Sequence, residues 1–322
     1  MIIGGKKHAV AENIRHAIEN NTPYKPVETE DPVIDKQELT GMARQQLDRM
    51  RTVTFKINNF LVRTGLRVAE FIFSRHTQID GLEKLKDVHG GVLVTANHFN
   101  PLENLALHKT MRKAGWKRLY AVSQALNLGM TGWVGYIFKY FDTIPLVKDH
   151  KYLSTLFPEA MLRVFRGNGA VLIYPEEQMW FNYRRPRPGR HGVYDYAAQL
   201  NVPIVSLFTE SIDTGKPERS DPEFNQTRYI VHVLDTLYPD PTLSPQENSI
   251  RMRLADDAQR RAAYERIYGK SIDAPFDVSD IAGWHPENAE PAQEEANTQQ
   301  LGDEDKKQAE SEQADLSEGG QD

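Results

Sequence analysis

A chain of 322 residues with 39% hydrophobic side chains, a formal net charge of −6 and no cysteine can fill one large packed domain or two modest ones, and has no access to disulfides, thiolate metal sites or a cysteine nucleophile. Residues 285–322 hold 12 acidic and 2 basic side chains, so the first 284 residues carry +4, too small a surplus for a nucleic-acid-binding body. Met1–Val10 has no apolar core of signal-peptide length.

Residues 1–40 read as a polar lead-in, a short helix followed by an extended stretch interrupted by Pro23, Pro26 and Pro32. Residues 41–78 read as an amphipathic segment, one long helix over 41–75. Its apolar side chains Met50, Val53, Ile57, Phe60, Leu61, Val68, Phe71 and Ile72 recur near helical period. Arg49, Lys56, Arg63 and Arg67 border that stripe. A helix of this kind can lie in a headgroup plane, cations on anionic lipid, and it can equally pack on a core with a solvated edge.

From residue 88 strands alternate with helices. Val92–Thr95, Leu119–Val122, Thr143–Val147, Ala170–Tyr174, Val202–Phe208 and Tyr229–Leu234 predict strands; 101–114, 152–166, 192–200 and 244–268 predict helices. That order implies an α/β layer structure over 79–270, a central, mostly parallel sheet flanked by helices. Residues 119–138 are uncharged for 20 positions, but Ser123, Gln124, Asn127, Thr131 and three glycines favour a buried or interfacial segment over a span. The acidic tail, 285–322, lacks apolar periodicity and is expected to be disordered.

Chemistry concentrates after the first strand, in GVLVTAN-H-FNPLE. Pro101 suits a first helical position, Asn100 the N-cap before it, and Glu103 the capping-box position. Capping alone would explain Asn100 and Glu103. It does not explain His98, at the carboxyl end of an apolar strand, where open α/β sheets bind ligands. A carboxylate beside an imidazole fixes its tautomer and frees the other nitrogen to take a proton. A metal site built on His98, Glu103 and His108 would be strained, and none is expected.

Four blocks in order carry a resemblance. Asn97-His98-Phe-Asn-Pro-Leu-Glu103 resembles the N-H-x-x-x-x-D block of the glycerolipid and lysophospholipid acyltransferases. Ile144-Pro145-Leu146-Val147-Lys148 is similar to the second block, Tyr174-Pro175-Glu176 to the F-P-E of the third, and Val202-Pro203-Ile204-Val205 to the fourth, with Arg190-x-Gly192 matching a basic-x-glycine step between the last two. The resemblance covers about residues 80–210. It departs at Glu103, where the family has aspartate, and after Glu176, where Glu177-Gln178-Met179 replaces glycine-threonine-arginine and removes the phosphate-binding arginine.

What the resemblance implies is acyl transfer from a thioester, acyl-CoA or acyl carrier protein, to a hydroxyl of a lysophospholipid or related glycerolipid, with these as co-substrates and no cofactor. His98 would be the general base and Glu103 its orienting group, with oxyanion donors among backbone N–H groups near the 101–104 helix start. Lys148, Glu176, Arg184, Arg185, Arg187 and Arg190 are the candidates for acceptor and phosphate, the arginines in a loop expected to be exposed. Glu176 has a plainer reading as a turn carboxylate paired with a local arginine. Trp180, Phe181 and Tyr183 suit a membrane interface or an aromatic lid. Asn97, Asn100, Pro175, Gly192 and Pro203 would shape the site. The implied location is peripheral, on an anionic membrane at its cytoplasmic face. A lipid-binding scaffold on a degenerate acyltransferase fold and a hydrolase using His98 on water remain the rivals.

Overall fold

The computed structural model describes residues 6–28 and 34–286. Helix α1 (Lys7–Glu19), α2 (Lys36–Arg49) and α3 (Val53–Phe73) precede β1 (Gln78–Asp80) and β2 (Val92–Thr95). Then follow α4 (Glu103–Lys113), β3 (Leu119–Gln124), α5 (Gly132–Tyr140), β4 (Thr143–Leu146), α6 (Phe157–Arg166) and β5 (Ala170–Leu172). Last come α7 (Gly192–Leu200), β6 (Ile204–Pro217), β7 (Asn225–Val233) and α8 (Pro245–Tyr268). The seven strands form one sheet in the order β1-β7-β6-β2-β5-β3-β4. All neighbours are parallel except the β6–β7 hairpin.

β2 sits in mid-sheet, between β5 and β6, and all four of its residues are buried. A strand covered on both faces must be apolar throughout, and VLVT is the β-branched run that satisfies this. Its side chains alternate between two cores. Leu93 joins Val171, Ile144 and Ile204 on one face; Val92 and Val94 join Leu172, Val205 and the α4 residues Ala106, Leu107 and Met111 on the other. A third cluster stands apart: Val10, Ala11, Ile14 and Ala17 of α1 pack on Trp180, Phe181, Tyr183, Phe224, Ile281 and Trp284. The polar lead-in therefore begins with a helix docked on the body.

Sequence and structure part in four places. The long helix expected over 41–75 is two. Thr52 accepts from Phe55 N at 3.1 Å as the cap of α3 and donates to Arg49 O at 2.7 Å at the end of α2, so one hydroxyl ends one helix and opens the next. β6 runs to Pro217, nine residues past the expected Phe208, because β7 pairs with it antiparallel. The uncharged stretch 119–138 divides into β3, a short 3-10 turn and α5. Among the described residues no helix is long and apolar enough to cross a membrane. β1 went unread: three residues of mixed polarity carry no period. Of the expected disordered tail, all but His285 and Pro286 lies outside the described residues.

The stripe of α3 faces outward. Phe60 is 67% exposed and Phe71 77%, and Val53, Ile57, Leu61, Val68 and Ile72 are exposed with them. The body-facing side buries Phe55 and Val62 together with polar contacts. Asn59 donates to Tyr140 O at 2.8 Å and Asp142 Oδ1 at 2.9 Å, and Glu70 pairs with Arg112. A core-packing role for the stripe is therefore excluded, and an apolar patch of this extent marks an interaction surface.

This division has a measurable consequence. Leu93→Ala, in the fully buried strand, should lower the free energy of unfolding in urea by about 2–5 kcal/mol. Phe71→Ser should change it by no more than about 0.5 kcal/mol. Equal losses at the two positions would mean that α3 packs through its apolar face.

Candidate active site

The chain leaves β2 at Thr95 and turns through Asn97–Leu102 into α4. Four bonds shape the turn. Asn97 clamps it to β6, its Nδ2 donating to Thr209 O at 3.0 Å and its Oδ1 accepting from Thr209 N at 2.8 Å. Asn100 Oδ1 accepts from Leu102 N at 3.0 Å, and Asn100 Nδ2 donates to Asn182 Oδ1 at 2.9 Å. Asn100 thus closes a local turn, and α4 begins at Glu103, two residues later than expected.

Glu103 is fully buried. Its Oε1 lies 2.6 Å from His98 Nδ1, and its Oε2 accepts from Phe99 N at 3.0 Å and Asn100 N at 3.3 Å. One oxygen thus meets the imidazole and the other the backbone of the turn, while the capping-box placement is not met, since α4 starts at Glu103 itself with no side-chain cap. A carboxylate can only accept, so Nδ1 is assigned the proton and Nε2 remains as the acceptor. The imidazole keeps 18% side-chain exposure and makes no bond through Nε2 to a described residue.

A second support escaped the sequence. Tyr174, at the end of β5, stacks on His98 with centroids 3.8 Å apart and planes 12° from parallel, and its hydroxyl donates to Asn104 Oδ1 at 3.1 Å. Burial, with the Glu103 carboxylate beside it, pushes the Tyr174 phenol well above its ordinary range. The phenol therefore stays a neutral donor. The one sequence signal was a tyrosine where the resembling block opens with phenylalanine.

The arginine loop is not the exposed loop expected. Arg185 is buried, bonded to Asp280 Oδ2 at 2.6 Å and to Pro275 O at 2.6 Å. Arg187 is buried with Glu176, its Nε donating to Oε2 at 3.1 Å and its Nη1 to Pro23 O at 2.8 Å, over the Trp180 ring. Arg184 donates to Ser211 O at 3.1 Å and Ser279 O at 2.6 Å. These arginines tie the loop to residues 211 and 272–280 and to the lead-in. Glu176 also meets Arg260 of α8 at 3.4 Å, so its paired-carboxylate reading is the one observed. Burial works against both charges of the pair, raising Glu176 and lowering Arg187. Trp180, Phe181 and Tyr183 are buried against α1 and form neither an interface nor a lid.

Lys148 and Arg190 remain accessible. Lys148 is exposed beyond β4, at the same carboxyl edge as His98 and three strands away, roughly 14 Å at the usual strand spacing. Arg190 lies over the Tyr24 ring at 3.7 Å, and its Nε is 3.8 Å from Glu177. Pro175 accepts from Arg190 N at 2.8 Å, Gly192 opens α7, and Pro203 O accepts from Leu93 N at 3.0 Å. Of the N–H groups at the helix start considered as oxyanion donors, those of Leu102 and Glu103 already have acceptors, as do those of Phe99, Asn100 and Leu105 around them. Among the described residues no three His, Cys, Asp or Glu side chains are grouped to hold a metal ion.

Residues 76–210 match the family model described as Acyltransferase. Among solved structures, the chain is similar to the 1-acyl-sn-glycerophosphate (LPA) acyltransferase PlsC from Thermotoga maritima, with 12% identity, a TM-score of 0.43, and coverage of 73% of this chain and 97% of that one. No curated protein sequence matches the chain.

The buried pair yields a stability test. Arg187→Ala should cost about 3–5 kcal/mol in a urea melt, because it breaks a buried pair and leaves Glu176 only the longer contact with Arg260. A loss under about 0.5 kcal/mol would return Arg187 to the groups free to hold a substrate phosphate.

Proposed function

We propose, from the premise that an acyltransferase-family domain occupies residues 76–210 of this enzyme, that it moves a fatty acyl group from a thioester to a hydroxyl of a lysophospholipid or related glycerolipid. The donor is acyl-CoA or acyl carrier protein. The observation that carries the reading is the 2.6 Å contact of His98 Nδ1 with Glu103 Oε1. That contact leaves Nε2 free on a partly exposed ring.

In this reading Nε2 takes the proton of the acceptor hydroxyl as its oxygen attacks the thioester carbonyl. Glu103 holds the ring and stabilises the imidazolium that forms. The proton then passes from Nε2 to the leaving thiolate, and the ring returns to its starting state. No acyl-enzyme is needed, since the chain has no cysteine and no serine stands in the His98–Glu103 turn. Lys148 and Arg190 are the cations available to a phosphate on acceptor or donor.

The partner surface in this reading is an anionic membrane, at its cytoplasmic face. The outward apolar face of α3 supports it, and Trp133 on α5, 65% exposed, adds an aromatic of the kind that settles at headgroup level. Lys56 and Arg67 flank that face. Cations there attract an anionic leaflet.

Incubation with labelled acyl-CoA and a panel of lysolipids tests the chemistry. Labelled diacyl lipid should form, fall below detection in His98→Ala, and drop on the order of 10²–10⁴-fold in Glu103→Gln with the fold intact. Free fatty acid as the only product would make the chain a hydrolase; binding without turnover would make it a scaffold. For the membrane, Phe60→Ser with Phe71→Ser should move the protein from pellet to supernatant when sedimented with vesicles containing phosphatidylglycerol. Unchanged sedimentation would reject α3 as the docking face.

A further inference from the structure

A second polar recess lies away from His98. It opens between α3, α4 and the starts of β3 and β4, at the amino edge of the sheet. Arg63, Arg67, Arg112, Lys117 and Arg118 line it, against only two carboxylates, Glu70 and Asp142. The carboxylates are engaged: Asp142 with Arg118, Asn59 and Arg63, Glu70 with Arg112. Arg67 has no hydrogen bond or ion pair to a described residue. An adjoining groove shares Arg67, Glu70 and Arg112 and adds Phe71, Arg75 and Lys109.

Three observations point to an anion here. The cations outnumber their partners, and burial and neighbouring positive charge lower both Arg63 and Lys109. At the wall of the recess His108 packs on Phe141, 5.1 Å between centroids, and burial lowers its pKa to about 4. The ring is therefore neutral, and its buried Nε2 has no partner among the described residues. The groove then continues to Phe71, 77% exposed on the outward apolar face of α3. Cations beside an exposed aromatic suit a ligand with an anionic head and an apolar chain. A free inorganic anion would make no use of Phe71.

We propose that this recess is a headgroup site for one anionic phospholipid, its phosphate held by Arg63, Arg67 and Arg112 and its chain lying along Phe71. The site is separate from the His98 turn and binds lipid without reacting it. It deepens the membrane reading of α3, giving that surface a single built site in addition to diffuse attraction.

Calorimetric titration of the full chain with dihexanoyl phosphatidylglycerol, kept monomeric, tests it. One saturable site is expected. Arg67→Gln, which removes no contact of the folded protein, should weaken binding about tenfold; Arg44→Gln, an exposed cation of α2, should leave it unchanged. Inorganic phosphate should bind more weakly than the lipid. The proposal is overturned by no saturable binding, by equal losses in the two variants, or by phosphate binding as tightly as lipid. A protein that sediments with anionic vesicles yet ignores the monomeric lipid loses the headgroup site and keeps the membrane face.

Discussion

One buried carboxylate organises the candidate active site. Glu103 meets the imidazole through one oxygen and the backbone of the turn through the other. Its two bonds from Phe99 and Asn100 fold the chain into the bend that carries it from β2 to α4. The same bend delivers His98 to the sheet's carboxyl edge. Fixing the turn and fixing the ring are thus a single act. The N-terminus of α4 adds its partial positive charge beside the carboxylate. The stack on Tyr174 holds the imidazole plane from the neighbouring strand. A ring held at its edge and on its face is preorganised, which proton transfer rewards.

The rest of the molecule supports that turn from a distance. The loop after β5 is stitched down by Arg185 on Asp280 and Arg187 on Glu176, and Glu176 in turn reaches Arg260 on α8. Breaking such pairs is costly even though forming them gains little. Their effect is to hold the Tyr174–Arg190 segment in one conformation against β2. The backbone confirms the connection: Trp180 N donates to His98 O at 3.1 Å and Asn182 N to Phe99 O at 2.8 Å. On the far side, α3 turns Phe55, Asn59, Val62 and Glu70 to the body and leaves its larger apolar stripe to solvent.

Local signals in the sequence reached the features whose causes are local. β2 was legible because a strand buried on both faces must be continuously apolar. α8, expected over 244–268, has local ends as well: Ser244, Pro245 and Glu247 cap its start and Gly269, at φ +63°, ends it. His98 and Glu103 were legible because five positions hold both the strand end and the helix start. The failures have distant causes. Arg185 is buried by Asp280, which nothing within the loop announces, and Arg187 by the lead-in together with the local carboxylate Glu176. The extension of β6 depends on pairing with β7, whose polar residues alternate weakly. The break between α2 and α3 rests on a single threonine hydroxyl amid unbroken helical period.

The claim on which the account rests is that Glu103 holds His98 as the Nδ1–H tautomer. Long-range ¹H–¹⁵N correlation of the His98 ring in the full chain measures this directly. The account predicts a protonated Nδ1 with a strongly downfield proton that disappears in Glu103→Gln, and an unprotonated Nε2. A protonated Nε2, or a ring averaging between tautomers as a free histidine does, would contradict it.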